Sequence, residues 1–283
     1  MILEIDKVLK CLIGLVLMMS MCSLHAQNQL EISTKADFSI GEIIEFDSVV
    51  LNEKRQLNIY LPRSYHGDSK QKYPVIYLLD GGANEDFIHL AGLVQFGSLS
   101  WINQLPETII VGIVNVDRKR DFTYPTNNQQ DQQDFPSSGR SEQFIEFIGS
   151  ELQPLIEKNY RTHSVRTLIG QSLGGLLATE VLFKSPNLFD NYIIISPSLW
   201  WDDESLFSYT PLTSSKEKSI YIGVGKEGAI MERLAKTLFE KVNTKKPANY
   251  SVNFQFFEQL NHGDTLHLAV YDAFERIFRI QKK

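Results

Sequence analysis

A serine between two spaced glycines, in the pentapeptide Gly-Gln-Ser-Leu-Gly at residues 170–174, is the feature of this sequence with the clearest chemical potential. It follows an apolar run at residues 167–169 and opens directly into the helical pattern LGGLLATEVLF. A sharp turn between a strand and a helix exposes such a serine above the sheet, where its hydroxyl can attack a carbonyl. Glycines are expected on both sides because a Cβ there would collide with neighbouring backbone. The pattern predicts Ser172 as a nucleophile, and the alternative is a helix N-cap serine after a glycine turn.

A serine hydroxyl needs a general base, and five histidines follow residue 26: His66, His89, His163, His262 and His267. In this kind of motif the acid and then the histidine follow the serine along the chain, which excludes the first three. His262 lies in a polar loop between the last predicted strand and the last predicted helix, at the edge of the sheet where active sites form. His267 lies inside that helix, where a surface or packing role is expected, and its spacing from His262 disfavours a shared metal site. His262 is the predicted base.

The acid that orients the base is predicted in the turn after the strand SIYIGVG, where the sequence continues Lys-Glu-Gly. Glu227 is the candidate because it lies between the serine and the histidine, at a strand-to-helix turn. The alternative role for Glu227 is a first-turn carboxylate that interacts favourably with the helix dipole. Asp202 and Asp203 are the other candidates for the acid.

An oxyanion hole requires two backbone N–H groups that point at the negative charge that develops during acyl transfer. The N–H of Leu173, directly after the nucleophile, is one predicted donor. The second is assigned to Gly82, with Gly81 as the alternative, because the Asp-Gly-Gly turn at residues 80–82 lets a ligand approach the backbone closely.

Strand patterns and helical patterns alternate along the chain after residue 42. Two β-rich runs in residues 43–61, separated by Asn-Glu-Lys, predict an antiparallel hairpin. The later strand patterns are YPVIYLLDGG, ETIIVGIVNV, TLIG, YIIIS, SIYIGVG and SVNFQFF. All but the last, which is less apolar, are continuous apolar runs, as expected of strands buried on both faces of a sheet. Helices are predicted over residues 141–160, 173–183, 229–242 and 265–280. This order predicts one α/β domain with a mostly parallel central sheet and right-handed connections.

The segment 117–140 interrupts this alternation, being rich in Gln, Asn, Asp, Ser and Pro with little periodicity. An irregular segment of this length inside a compact domain is usually functional or disordered. It is interpreted as a flap near the active site, the alternative being a solvated insertion.

The first 26 residues resemble a secretory signal peptide, with two lysines before an apolar stretch from Cys11 to Leu24 and a small residue, Ala26, at the predicted cleavage site. The stretch is shorter than the roughly 20 residues that a membrane span needs. Lipidation at Cys22 is a weaker alternative. Residues 27–283 are therefore predicted as one catalytic domain, found in the periplasm or secreted and without stable membrane insertion. Both cysteines lie in the signal segment, so no disulfide or Cys-metal site is expected.

The composition and charge of the chain argue against one class of binding partner. The formal net charge is −6, the sequence pI is about 5.6, and the chain has no run rich in Lys and Arg. Nucleic acid, which requires a basic surface, is therefore not an expected partner. With 43% hydrophobic residues, the chain can bury a substantial core.

Seven segments in the same order together resemble the putative-esterase family of α/β-hydrolases: YLLDGG, VGIVNVDRKRDFTYP, FIEFIGSELQPLIEKNY, GQSLGGLLA, SPSLWWD, VGKE and NHGDTLH. The family includes siderophore esterases and is related to esterase D, feruloyl esterases and the antigen 85 acyltransferases. The resemblance spans Ile43 to Phe278. The resemblance implies an α/β-hydrolase fold with helices on both faces of the sheet. It also implies a catalytic triad of Ser172, Glu227 and His262, although some siderophore esterases work with a Ser-His dyad. The similarity of the LDG segment to the antigen 85 oxyanion loop favours Gly82.

The resemblance also implies substrate contacts. Arg118 and Arg120 match an arginine-rich loop that would contact an anionic substrate, and pairing with Asp117 and Asp121 is the alternative. Trp200 and Trp201 are predicted walls of the acyl pocket, with core packing as the alternative.

The implied reaction is hydrolysis of a carboxylic ester through an acyl-serine, on siderophore lactones or polysaccharide-linked acyl esters, with no metal or cofactor. Acyl transfer to an alcohol and non-catalytic siderophore or glycan binding are the other hypotheses.

Overall fold

The computed structural model describes residues 2–22, 32–67, 70–244 and 246–278 of the 283-residue chain. The chain divides into two compact units, Met1–Ser39 and Ile40–Lys283. The first contains helix α1 (Ile2–Cys22), which covers most of the predicted signal segment. The predicted cleavage site after Ala26 lies outside the described residues. Among the described residues, no helix combines the length and the hydrophobicity that crossing a bilayer requires.

The second unit is built on one eight-stranded sheet with the strand order β1-β2-β4-β3-β5-β6-β7-β8. Its strands are β1 (Glu42–Ser48), β2 (Glu53–Tyr60), β3 (Tyr73–Leu78), β4 (Ile109–Ile113), β5 (Thr162–Gln171), β6 (Asn191–Ile195), β7 (Lys218–Gly225) and β8 (Tyr250–Phe257). The hairpin β1–β2 and the pair β2–β4 are antiparallel, and all the other pairs are parallel. The predicted mostly parallel sheet with an antiparallel N-terminal hairpin is confirmed.

Helices cover both faces of the sheet, as predicted. They are α2 (Phe87–Gly97), α3 (Arg118–Phe122), α4 (Gln129–Asp134), α5 (Ser141–Phe147), α6 (Gln153–Asn159), α7 (Leu173–Lys184), α8 (Trp201–Glu204), α9 (Ala229–Thr244) and α10 (Thr265–Phe278). Alternate residues of a strand point to opposite faces. On β3, for example, Val75 and Tyr77 belong to the core under α5, α7 and α9, whereas Ile76 and Leu78 pack with α2 and α10.

The predicted helix over residues 141–160 is interrupted. A π-helical turn, Ile148–Leu152, joins α5 to α6, and Pro154 lies at the start of α6. Proline has no N–H to donate to the preceding turn, which explains a local change of winding here. The segment still covers the sheet, since Phe144, Phe147 and Ile156 are fully buried.

The segment 117–140 is more regular than its composition predicts. Asp117 caps α3 by accepting from the Arg120 N–H, and Asn128 caps α4 by accepting from two backbone N–H groups. Side-chain capping by Asp and Asn stabilises short helices that have no apolar stripe. The prediction of an irregular loop was therefore wrong for this part of the chain.

Candidate active site

Ser172 lies in a tight turn between the end of β5 and the start of α7. Its φ and ψ are 59° and −120°, a region that residues other than glycine rarely adopt. The Ser172 N–H donates to the Ile195 carbonyl at 3.1 Å, which ties the turn to the end of β6. The strained turn matches the strand-turn-helix geometry expected from the sequence.

The glycines around this turn have unequal roles. A Cβ on Gly170 would lie 2.4 Å from the Gly174 carbonyl oxygen, so glycine is required there. A Cβ on Gly174 would meet nothing closer than 3.4 Å, which is an ordinary contact. A Cβ on Gly175 would lie 2.9 Å from the Ile195 carbonyl oxygen. The expected collision therefore occurs at Gly170 and not at Gly174, and Gly175 is the second position that needs glycine.

Glu227 and His262 are in direct contact. Glu227 follows β7 and His262 follows β8, so parallel pairing brings both to the same edge of the sheet as Ser172. His262 Nδ1 lies 2.5 Å from Glu227 Oε2. Because a carboxylate only accepts, Nδ1 carries the proton and Nε2 is left as the basic nitrogen. This is the tautomer that a general base for a serine needs.

The Glu227 carboxylate is almost fully enclosed, with a side-chain exposure of 2%. Its Oε1 accepts from Ser196 Oγ at 2.5 Å and from the Gly225 N–H at 2.9 Å. Burial raises the pKa of this carboxyl group, but hydrogen bonds from His262, Ser196 and Gly225 lower it further than burial raises it. The net pKa lies below the ordinary value of 4.5, so Glu227 is ionised at neutral pH.

Ser172 and His262 line one cleft of about 560 Å³ together with Glu227 and Ser198. The Ser172 hydroxyl lies 3.3 Å from Ser198 Oγ. Among the residues that the structure describes, the Ser172 hydroxyl and the His262 imidazole form no hydrogen bond with each other. Catalytic hydrogen bonds are often long or misaligned before a substrate binds, so the shared cleft is the informative observation.

The predicted oxyanion donors differ in availability. Leu173 is the first residue of α7, where N–H groups have no acceptor within the helix. The Gly82 N–H donates to Glu85 Oε2 at 2.8 Å, so an oxyanion could use it only after the Glu85 carboxylate has moved. The Gly81 N–H donates to the Ile113 carbonyl at 3.0 Å as part of the fold, which removes Gly81 as the alternative.

Asp202 and Asp203 point to other partners. Asp202 Oδ1 accepts from Thr126 Oγ1 at 3.0 Å and from the Asn127 N–H at 2.7 Å. Asp203 Oδ1 accepts from Asn128 Nδ2 at 2.8 Å. Both side chains thus hold the segment before α4, and Glu227 is the carboxylate that the structure brings to His262.

The two arginines that were predicted to bind substrate lie in different surroundings. Arg118 lines the cavity beside Ser172 and His262, where it pairs bidentately with Asp80 at 2.6 and 2.9 Å. Arg120 instead pairs with Glu53 and Asp121 and lines neither cavity that contains Ser172. The arginines are therefore held by ion pairs, and only Arg118 lies where a substrate could contact it.

The adjacent residues Trp200 and Trp201 also lie in different surroundings. Trp200 is partly exposed and lines the cleft together with Lys226 and Met231. Trp201 is fully buried, and its indole N–H donates to the Tyr124 carbonyl at 2.9 Å. Trp200 is thus placed as the expected wall of the cleft, and Trp201 is a core residue.

Comparison with known proteins decides the family. The family described as "Putative esterase" matches residues 48–264, which include all of the residues of this site. The chain belongs to this family. Among curated relatives of the esterase family, the ferri-bacillibactin esterase BesA of Bacillus subtilis (strain 168) is 33% identical over 172 residues. That alignment covers 56% of this chain and 59% of BesA, so the chain spans less than two thirds of that relative.

Solved structures are similar to this protein over a larger share of the chain. An IroE-like serine hydrolase from Shewanella oneidensis has a TM-score of 0.76 at 29% identity, covering 84% of this chain and 80% of its own. The BES protein from Bacillus cereus has a TM-score of 0.78 at 27% identity, covering 89% of this chain and all of its own. These similarities fit the α/β-hydrolase fold of the esterase family.

Two hydroxyl groups of this candidate site were missed by the sequence reasoning. Ser196 and Ser198 follow β6 and contact Glu227 and Ser172, respectively. The available signal was positional, since a polar Ser-Pro-Ser directly after a buried parallel strand must lie at the same sheet edge as the ends of β5 and β7.

Proposed function

We propose that this protein is a serine esterase that hydrolyses ester bonds through an acyl-serine intermediate. The observation that carries the proposal is the 2.5 Å contact between Glu227 and His262 in the cleft that also contains the strained Ser172 turn. A nucleophile, a base with its basic nitrogen free and a buried acid are the parts that acyl transfer needs.

In the proposed reaction, His262 Nε2 takes the proton of Ser172 as Oγ forms a bond to the ester carbonyl carbon. The resulting oxyanion accepts from the Leu173 N–H and, once Glu85 has moved, from the Gly82 N–H. The imidazolium then gives its proton to the departing alcohol as the carbon–oxygen bond breaks. Water, deprotonated by the same imidazole, releases the acid and restores Ser172.

Solvent access supports hydrolysis over acyl transfer to another alcohol. The His262 side chain is 47% exposed, so water can reach the imidazole that must activate it. An acyltransferase on the same scaffold would have to exclude water from this position.

Esters of siderophores are the proposed substrate class. BesA, a ferri-bacillibactin esterase, is similar to this chain. In the cleft, the Trp200 ring and the exposed Lys226 provide an aromatic surface and a positive charge. Together they suit a ligand with aromatic groups and negative charge, which favours a ferric siderophore over a neutral acyl ester.

The test is a hydrolysis screen of the purified protein on three substrates: a p-nitrophenyl ester, a feruloyl ester and a ferric siderophore with an ester-linked backbone. We expect all activity to need Ser172 and kcat/KM to be highest for the siderophore. Cleavage of the simple esters without the siderophore would reject the substrate class. A wild-type protein that hydrolyses none of them would reject the esterase function.

We also propose that the protein is exported and that residues 1–26 are removed. The support is the charged start and short apolar stretch of this segment. N-terminal sequencing of the native exported protein is expected to begin at Gln27. An intact Met1 end recovered from the membrane fraction would contradict this prediction.

A further inference from the structure

The loop that follows β6, Ser196-Pro197-Ser198, places one hydroxyl against each end of the proposed triad. Ser196 Oγ donates to Glu227 Oε1 at 2.5 Å, and Ser198 Oγ lies 3.3 Å from Ser172 Oγ. The loop is therefore the segment that contacts both the acid and the nucleophile, which come from different strands.

Ser196 is held in a conformation that only its surroundings can maintain. Its φ is 45°, in the left-handed region, and its side chain is fully buried. Its N–H donates to the Gly223 carbonyl at 2.8 Å, which links the end of β6 to β7. Retention of such a backbone beside an active site is typical of a residue whose side chain must point in one direction.

Ser198 is tied to the nucleophile turn twice. Besides the contact between the hydroxyls, the Ser198 N–H donates to the Ser172 carbonyl at 3.0 Å. Ser198 is 2% exposed and lines the cleft. A small buried hydroxyl in this position can donate to Ser172 Oγ while Ser172 donates to another acceptor.

We propose that Ser196 and Ser198 are positioning residues for the reaction, Ser196 fixing the Glu227 carboxylate and Ser198 orienting the Ser172 hydroxyl. This inference rests on the proposed esterase function. With Ser196 on Oε1, the other oxygen of Glu227 remains directed at His262 Nδ1. With Ser198 donating to Ser172 Oγ, the proton of Ser172 is free to point at His262 Nε2, and the negative charge that develops on Oγ is stabilised.

Ser196 is tested by two substitutions that both remove the hydroxyl but differ in backbone strain. Ser196→Ala keeps the unfavourable φ, whereas Ser196→Gly relieves it. We expect both variants to lower kcat about tenfold with KM unchanged, because each loses a hydrogen bond to a charged group. The Gly variant should melt at a higher temperature than the Ala variant. Wild-type kcat in the Gly variant would overturn the proposal for Ser196.

The dependence of stability on pH gives a second readout for Ser196. Since Ser196 helps to hold the pKa of Glu227 below 4.5, part of that lowering is lost without the hydroxyl. A depressed carboxyl pKa stabilises the fold above the unfolded-state value, and this stabilisation is lost as pH falls through the folded-state pKa. The Ala variant should therefore be less stable than wild type at pH 7, and the difference should shrink as pH falls below 4.5 and through the lowered pKa of Glu227. A pH-independent difference would indicate a purely structural role.

Ser198 is tested by removing and then restoring its hydroxyl. We expect Ser198→Ala to lower kcat about tenfold with KM unchanged, and Ser198→Thr to recover most of the loss. Ser150→Ala is the matched control, since this exposed helical hydroxyl donates to the Glu146 carbonyl. Wild-type kcat in Ser198→Ala would overturn the proposal for Ser198.

All variants are assayed on one activated ester beside wild type and Ser172→Ala. If wild type shows no hydrolysis, the proposed function itself has failed. If wild type is active, Ser172→Ala is inactive and the Ser196 and Ser198 variants match wild type, only the positioning proposal has failed.

Discussion

Ser172→Ala is expected to abolish ester hydrolysis, with kcat falling by roughly 10⁶-fold, the scale of loss when a triad nucleophile is removed. The substitution deletes only Oγ, whose contact is with Ser198 at 3.3 Å. Alanine tolerates the positive φ of this turn no better and no worse than serine, so the folded state should persist. The measurement is kcat on an activated ester, with circular dichroism and the melting temperature to verify the fold.

Ser150→Ala is again the suitable control for the chemical change, because its hydroxyl is exposed and lies on a helix outside the cleft. It should leave kcat unchanged. Residual activity of Ser172→Ala above about a hundredth of wild type would mean that another group attacks the ester, since the oxyanion hole and binding alone supply far less.

Glu227→Gln is expected to lower kcat by roughly 10³- to 10⁴-fold with little change in substrate binding. The amide keeps the size of the side chain, but its NH₂ group can face His262 Nδ1 and stabilise the wrong imidazole tautomer. It also lacks the charge that stabilises the imidazolium. The 2.5 Å contact and 2% exposure make this pair hard to replace with water.

The matched controls for Glu227→Gln are Asp202→Asn and Asp203→Asn, which make the same change of carboxylate to amide. Both aspartates hold the segment before α4 through hydrogen bonds, so their variants should retain kcat within a small factor. A near-wild-type kcat for Glu227→Gln would remove Glu227 from the triad and favour a Ser-His dyad. Selective loss in one Asp variant would identify that residue as the acid.

The order of strands and helices could be predicted because parallel buried strands and amphipathic helices have distinct hydrophobic patterns. Ser172, Glu227 and His262 were found for the same reason: each directly follows a strand that the pattern identifies, and parallel strands end at one edge. Local pattern also identified the hairpin β1–β2, whose strands meet within a few residues.

Contacts between distant segments could not be predicted in this way. Glu85, which accepts the hydrogen bond from the Gly82 N–H, is close to Gly82 in sequence. The direction of its side chain depends on the distant Asn115, whose Nδ2 donates to both Glu85 and Asp80. Arg120 was expected at the substrate because it matches the arginine-rich loop of the family. Its partner Glu53 lies 67 residues away, on β2, so nothing in the local sequence indicated this ion pair. The capped helices of segment 117–140 have no apolar periodicity, so composition alone indicated a loop.

The central claim is that Ser172 is the activated nucleophile, and labelling with a fluorophosphonate probe tests it most directly. Such a probe forms a covalent bond only with a serine made nucleophilic by its surroundings, and peptide mass spectrometry locates the adduct. The proposed chemistry predicts one adduct, on Ser172, that is absent from Ser172→Ala and forms far more slowly in His262→Ala. No adduct in the folded wild-type protein, or an adduct on the neighbouring Ser198 instead, would contradict it.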